Sequence, residues 1–337
     1  KFDRAWKHVI SNYQALRAEY RWEETDKPVQ IIFKTPFVDT QINDVAGKTA
    51  AQKSEMIAAA LTQVRKEKIN FNQASTVNLR VFIDGDNQWS FYWSFHHIAL
   101  DGWSVSKVLG DLLVASQSLL KGESVKTTST LPYTAYLKWI SEKDASSMEK
   151  YWTNILSSVE EKTPLPLQLT SPEQMADVRY ADRLLAFTPA ETEQIKQIAR
   201  NNGVTVNTLV QAAWAMLLSL YANTDEVLFG VTTSGRSLPL PGVETVVGLC
   251  INTLPCRLSL NPQIAMRDWL QTIQQHSVES REFEYSPLSE LGKYAALKES
   301  DGLFDTILVF ENYPIDEALK QAPQGLVVRQ AGQKKTT

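Results

Sequence analysis

Residues Trp89–Gly102 read WSFYWSFHHIALDG. Trp89, Phe91, Trp93 and Phe95 alternate with Ser90, Tyr92 and Ser94, which is the period of a strand. The strand ends in His96 and His97, two of the four histidines in the chain. Neighbouring strand residues point to opposite faces, so one imidazole is expected to face a site and the other to face packing. Asp101 stands four residues beyond His97, and Gly102 follows it. An imidazole titrates near neutrality and can take a proton from an amine, hydroxyl or thiol and later return it. The HxxxDG element is therefore a candidate for proton transfer. Asp101 also reads as the N-cap of the helix that follows, its carboxylate accepting backbone N–H groups. The two uses are compatible.

Upstream, Val77, Leu79, Val81 and Ile83 alternate in the same way, and Asp84–Asn87 supplies a turn with Asp-Gly, so a hairpin is predicted. Downstream, Val105, Val108, Leu109, Leu112 and Leu113 have the spacing of an amphipathic helix running to about Leu120. Phe2, Trp6, Val9, Ile10, Tyr13 and Leu16 mark a helix at the start, Pro28–Phe33 is β-rich, and Ala50–Lys66 reads as a second helix. Aromatics at helical spacing in Tyr133–Ile140 read as core. Ser157–Pro189, with Pro164, Pro166, Pro172 and Pro189, has weak periodicity and reads as the crossing between two lobes, residues 1–165 and 166–337. The second lobe offers helices over Ala190–Asn202 and Val204–Tyr221, a buried strand over Glu226–Val231 and an interrupted apolar segment over Val246–Arg257. A helix over Met266–Glu282 and a strand over Thr306–Phe310 complete it. Alternating strands and helices favour an α/β fold, whose ligands bind at strand ends or between domains.

With 337 residues, 43% of them hydrophobic, the chain is long enough for two cores. A net charge of −4 without a basic cluster argues against nucleic-acid binding. Cys250 and Cys256 are the only cysteines and read as reduced cytosolic thiols. No apolar run reaches membrane-spanning length, which points to a cytoplasmic protein without membrane contact. The chain opens at Lys1 inside a predicted helix, so it is expected to be part of something longer. Metal binding is disfavoured, because adjacent histidines diverge and no Cys or Glu cluster completes a ligand set. Thr232 replaces the first glycine of a G-x-S-x-G elbow before Ser234, Cys250 lies in an apolar run, and no phosphate-cradling glycine loop occurs.

HHIALDGWS, at 96–104, resembles the HHxxxDG core motif of the condensation domains of nonribosomal peptide synthetases. NYQALRAEY (12–20) is similar to a second element of that family, although Asn12–Tyr13 replaces its opening Arg-His. Tyr133–Trp139 and Tyr151–Trp152 fit two aromatic elements. GVTTSGR (230–236), VGLCINTLPCR (247–257), REFEYSPL (281–288) and LFDTILVFENYP (303–314) follow in the family's order. The family's first element and its final strands and helix are not matched.

The resemblance implies two lobes similar to chloramphenicol acetyltransferase, forming a V with a central tunnel. It implies an acyltransferase that forms a peptide bond: an acceptor aminoacyl amine attacks a donor acyl or peptidyl thioester. Both would arrive on phosphopantetheine arms of upstream and downstream carrier proteins, with adenylation and carrier domains covalently linked. The domain itself would bind no cofactor. By the same resemblance His97 is the catalytic residue, acting as base or by orienting the amine, with His96 beside it. Asp101 holds the loop by pairing with an arginine, Arg236 first and Arg17 second. Gly102 lets the backbone turn where a Cβ would block the tunnel, and Trp103, Ser104 and Asn252 are candidates to line it. The histidines and DGWS fit condensation rather than heterocyclisation or epimerisation, and Leu100 leans toward a D-residue or acyl-starter donor. The alternatives are a non-catalytic docking module of the same fold, or an HxxxD acyltransferase using coenzyme A.

Overall fold

The computed structural model describes residues 1–23, 25–35, 37–66, 71, 77–85, 88–165, 183–297 and 302–311. Their backbone contacts divide them into two units. One comprises Lys1–Glu142 with Leu240–Cys250, and the other comprises Lys143–Pro239 with Ile251–Glu311. Two expectations change as a result. Lys143–Leu165, assigned from chain order to the first lobe, packs in the second unit, and Leu240–Cys250, assigned to the second lobe, belongs to the first. Most of the proline-rich passage and the last residues of LFDTILVFENYP lie outside the described residues.

The first unit begins with α1 (Phe2–Asn12), β1 (Ala18–Arg21) and β2 (Val29–Ile32), the two strands pairing antiparallel. Then come β3 (Asp39–Asp44), α2 (Ala50–Lys66), β4 (Val77–Ile83) and β5 (Trp89–Phe95). β3 runs parallel to β4, with α2 as the connection, and β4 pairs antiparallel with β5 to give the order β3-β4-β5. The last pairing is the hairpin expected from the alternation. α3 (Gly102–Lys121) and α4 (Tyr133–Ser141) follow. The stripe on α1 is the reason it docks. Trp6, Val9 and Ile10 are buried against Val108, Leu112 and Leu119 of α3 and against Val77, Leu79 and Val81 of β4. Ala99 and Leu100 of the HHIALDG turn lie in the same core, so packing accounts for the Leu100 side chain.

The second unit contains α5 (Ala145–Leu156), α6 (Pro189–Asn202), α7 (Val206–Ala222), β6 (Glu226–Thr233), β7 (Asn252–Ser259), α8 (Met266–Arg281), α9 (Leu288–Leu291) and β8 (Ile307–Leu308). β6 is central, antiparallel to β7 and parallel to β8. Its apolar run is buried on both faces, as a covered strand requires. Val227 and Phe229 pack with α7 and α8, while Leu228 packs with Met148, Trp152 and Leu156 of α5. Thr188 and Glu191 form a reciprocal capping box at the start of α6, with Pro189 at its first turn. Among the described residues no single helix is long and apolar enough to cross a membrane.

Candidate functional site

The turn that follows β5 is held from several sides. The Ala99 N–H donates to the His96 carbonyl at 3.0 Å, and the Tyr20 hydroxyl donates to the Ile98 carbonyl at 3.1 Å. Gln30 donates in turn to the Tyr20 oxygen at 3.2 Å, and burial pushes that phenol up to about 12, so it stays a neutral donor. Tyr20 lies inside a matched element, yet nothing in its spacing marks it as a brace for this turn.

The two histidines are both exposed and are held in opposite tautomers. Nδ1 of His97 lies 3.1 Å from the Leu100 carbonyl. A carbonyl oxygen only accepts, so in the neutral ring Nδ1 carries the proton and Nε2 keeps its lone pair. Nδ1 of His96 instead accepts the Ile98 N–H at 3.0 Å, which leaves its proton on Nε2. The His96 ring stands edge-on to Phe71 at 4.9 Å, and His97 is edge-on to Phe95 at 5.9 Å. Partial burial, and then the neighbouring His97, hold His96 below the ordinary imidazole range. Of the two, His97 presents a free basic nitrogen.

Asp101 is 1% exposed and caps α3, as its position predicts. One carboxylate oxygen accepts the Ser104 N–H at 2.8 Å and the other accepts the Cys250 N–H at 2.9 Å. The second bond draws the Leu240–Cys250 segment to the motif, and other contacts repeat the pattern. The Ser104 hydroxyl donates to the Gly248 carbonyl at 2.9 Å and lies 3.0 Å from the Gly248 N–H. The Trp103 indole donates to the Glu244 carbonyl at 3.0 Å, and the Tyr133 and Tyr136 hydroxyls donate to the carbonyls of Leu249 and Cys250. Gly248 lies so close beneath the Tyr133 ring that a Cβ there would overlap it.

These contacts correct several sequence expectations. Ser104 is fully buried with its hydroxyl committed to Gly248, so it is a structural tie rather than a lining residue. Trp103, by contrast, is only half-buried, with its indole N–H engaged by the Glu244 carbonyl. Gly102 opens α3 and is not among the glycines with positive φ, so the turn does not require glycine on that ground. Arg17 donates to the Phe33 carbonyl rather than to Asp101. Tyr13, which stands in place of the family's histidine, is buried and donates to Asp111, tying α1 to α3. Cys250 contributes its backbone N–H, and neither cysteine is in a disulfide.

In the second unit, Asn252 donates through Nδ2 to the carbonyls of Glu284 at 2.9 Å and Ser286 at 2.6 Å, while the Thr253 N–H donates to its Oδ1. Its amide is therefore fixed inside the unit. Arg236 lies in the turn after β6, where its N–H donates to the Ser234 hydroxyl at 3.2 Å and its Nη1 to the Ser234 carbonyl at 3.0 Å. Gly235 has φ of 65°, a left-handed conformation that explains the glycine in GVTTSGR.

A family model described as the condensation domain matches residues 1–332. A linear gramicidin synthase from Brevibacillus parabrevis is 35% identical over 320 residues, taking in 95% of this chain and 4% of that protein. Bacitracin synthase 3 from Bacillus licheniformis is 32% identical over 311 residues, taking in 92% of this chain and 5% of that protein. The chain thus spans only 4 and 5% of the length of these two curated relatives. The first condensation domain of the CDA synthetase is similar in structure, with a TM-score of 0.72 at 16% identity over 93% of this chain and 73% of that one. The X-domain from teicoplanin biosynthesis reaches 0.74 at 19% identity, over 91% of this chain and 68% of that one. At such identities the likeness is one of fold.

Proposed function

The chain belongs to the condensation-domain family, whose role is peptide-bond formation, and on that premise we propose that it joins a donor acyl or peptidyl thioester to the amine of an acceptor aminoacyl thioester. Carrier proteins present both substrates on phosphopantetheine arms, and the domain supplies no cofactor of its own. It works in the cytoplasm, linked to adenylation and carrier domains.

The observation that carries the reading is the Nδ1 contact of His97 with the Leu100 carbonyl, which leaves Nε2 as a basic acceptor. The acceptor amine attacks the donor carbonyl carbon, forming the C–N bond. Nε2 of His97 holds or takes the amine proton as the tetrahedral intermediate forms. Collapse breaks the C–S bond, and the departing sulfur receives that proton as a thiol. The imidazole returns to its starting tautomer. Positioning two tethered reactants supplies much of the acceleration, because it turns an encounter into a local reaction. Asp101 holds the turn that carries the histidine, and Arg236 is kept as a site residue on the strength of its place in GVTTSGR.

Incubating the chain with a donor-loaded and an acceptor-loaded carrier, and following the acceptor carrier by mass spectrometry, tests this. A dipeptidyl thioester on the acceptor carrier is expected. No product from natively loaded carriers would overturn the reading in favour of a docking module, and acyl transfer from free coenzyme A thioesters would favour the other acyltransferase reading.

A further inference from the structure

Glu284 is a buried acid that the reaction above does not use. It is 1% exposed, and its carboxylate accepts the Ser237 N–H at 2.6 Å and the Gly235 N–H at 3.2 Å. Those are the residues on either side of Arg236. The guanidinium donates through Nη1 to the Ser234 carbonyl of the same turn, so the backbone that Glu284 holds is one support of the arginine side chain. Glu284 is itself anchored. Asn252 on β7 donates to the Glu284 and Ser286 carbonyls, and the Trp152 indole donates to the Ser286 hydroxyl at 2.8 Å. A frame thus runs from α5 and β7 through residues 284–286 to the turn that holds Arg236.

A buried carboxylate is an expensive scaffold unless its acceptors are used, because ionised groups lose more than amides on leaving water. Here each carboxylate oxygen accepts one of the two N–H groups that bracket one cation. We infer that Glu284 is a positioning residue that sets the attitude of Arg236, an inference that rests on the reading that Arg236 serves the reaction. The carboxylate acts on the turn and touches no reacting atom.

The experiment compares Glu284→Gln, Glu284→Asp, Arg236→Ala and the double variant Glu284→Gln/Arg236→Ala in the carrier-loaded assay, alongside deuterium exchange of residues 233–239. Glutamine puts an NH2 where one of the N–H groups needs an acceptor. Exchange in that segment should therefore quicken about tenfold or more, and kcat should fall by about as much. KM for the loaded carriers should stay within about twofold, because positioning acts on the chemical step. Glu284→Asp keeps both acceptors one methylene short, so it should show the same pattern more weakly and serves if the glutamine variant folds poorly. In the Arg236→Ala background, Glu284→Gln should lower kcat no further. Native turnover in Arg236→Ala would overturn the role of Arg236 itself. Slow turnover there, with native turnover in Glu284→Gln or additive losses in the double variant, would overturn the inference for Glu284 alone.

Discussion

The carboxylate of Asp101 accepts the backbone N–H of Cys250 at 2.9 Å, joining positions 149 residues apart in the chain. Its other oxygen accepts the Ser104 N–H at the start of α3, so one buried side chain caps the helix and anchors a distant segment. Asparagine matches this shape with only one acceptor, and its amide would face the remaining N–H. Asp101→Asn should lower stability by about 2 kcal/mol, the scale of leaving a buried donor unsatisfied. Urea denaturation measures it. An unchanged midpoint with lost turnover would assign Asp101 a direct chemical role instead.

His97→Ala separates chemistry from folding. The ring is exposed, and among the described residues its hydrogen bond is to the Leu100 carbonyl, so its loss should leave the melting temperature nearly unchanged. Amide formation should fall by about 10²–10⁴, the usual contribution of a placed acid–base group. Near-native turnover in this variant would refute the role given to Nε2.

The contrast between these two residues marks how far the sequence could be read. The β4 and β5 strands, α2 and the capping role of Asp101 follow from period and residue type, which are local properties. β3 was not legible, because DTQIND carries no apolar alternation and is fixed by pairing with β4. The destination of Leu240–Cys250 was illegible for the same physical reason. Val246–Arg257 reads as a single, interrupted apolar segment, whereas Val247 packs in the core of the first unit and Leu254 in that of the second. Side-chain bonds from Asp101, Ser104 and Tyr133 decide that division, and none of them leaves a spacing signal. The family resemblance brings the site residues together without saying what each one touches. Ser104 and Asn252 are accordingly expected to line a tunnel, while their polar groups are spent on backbone.

Gly248→Ala tests the anchored segment from its other side. The added methyl would overlap the Tyr133 ring and strain the bonds that Gly248 makes with Ser104. Such overpacking is expected to destabilise the protein by about 1–3 kcal/mol. Pairing the change with Tyr133→Ala should recover part of the loss, because the obstructing ring is gone. A single variant as stable as the parent would show that the segment shifts freely.

For His96 the expected outcome is a titration. Its imidazole sits below the ordinary value of 6.5, through partial burial and then the adjacent His97. A depressed histidine contributes stability that is present above the unfolded value and is lost as pH falls through it, because the unfolded chain takes up the proton first. Ring-proton NMR of the native chain, assigned by comparison with His96→Gln, should place its midpoint below 6.5. A midpoint at or above that value would mean that burial and the neighbouring His97 do not disfavour the charged ring.

Glu284 gives the opposite sign of pH dependence. Burial raises its carboxyl above the ordinary value of 4.5, and the Ser237 and Gly235 N–H groups, the charge of Arg281 and the Thr233 side chain oppose that rise without cancelling it. The native chain therefore keeps this proton at pH values where the unfolded chain has released it. The group's contribution to stability is present in full below the unfolded value and is lost as pH rises through the raised native one. Glu284→Gln cannot titrate, so the stability of the parent relative to this variant should decline as pH climbs from the ordinary glutamate value. Paired denaturation curves across that interval measure the difference directly. A flat difference would mean that these opposing groups together balance burial. A difference that grows with pH would mean that they outweigh burial and hold the carboxylate ionised.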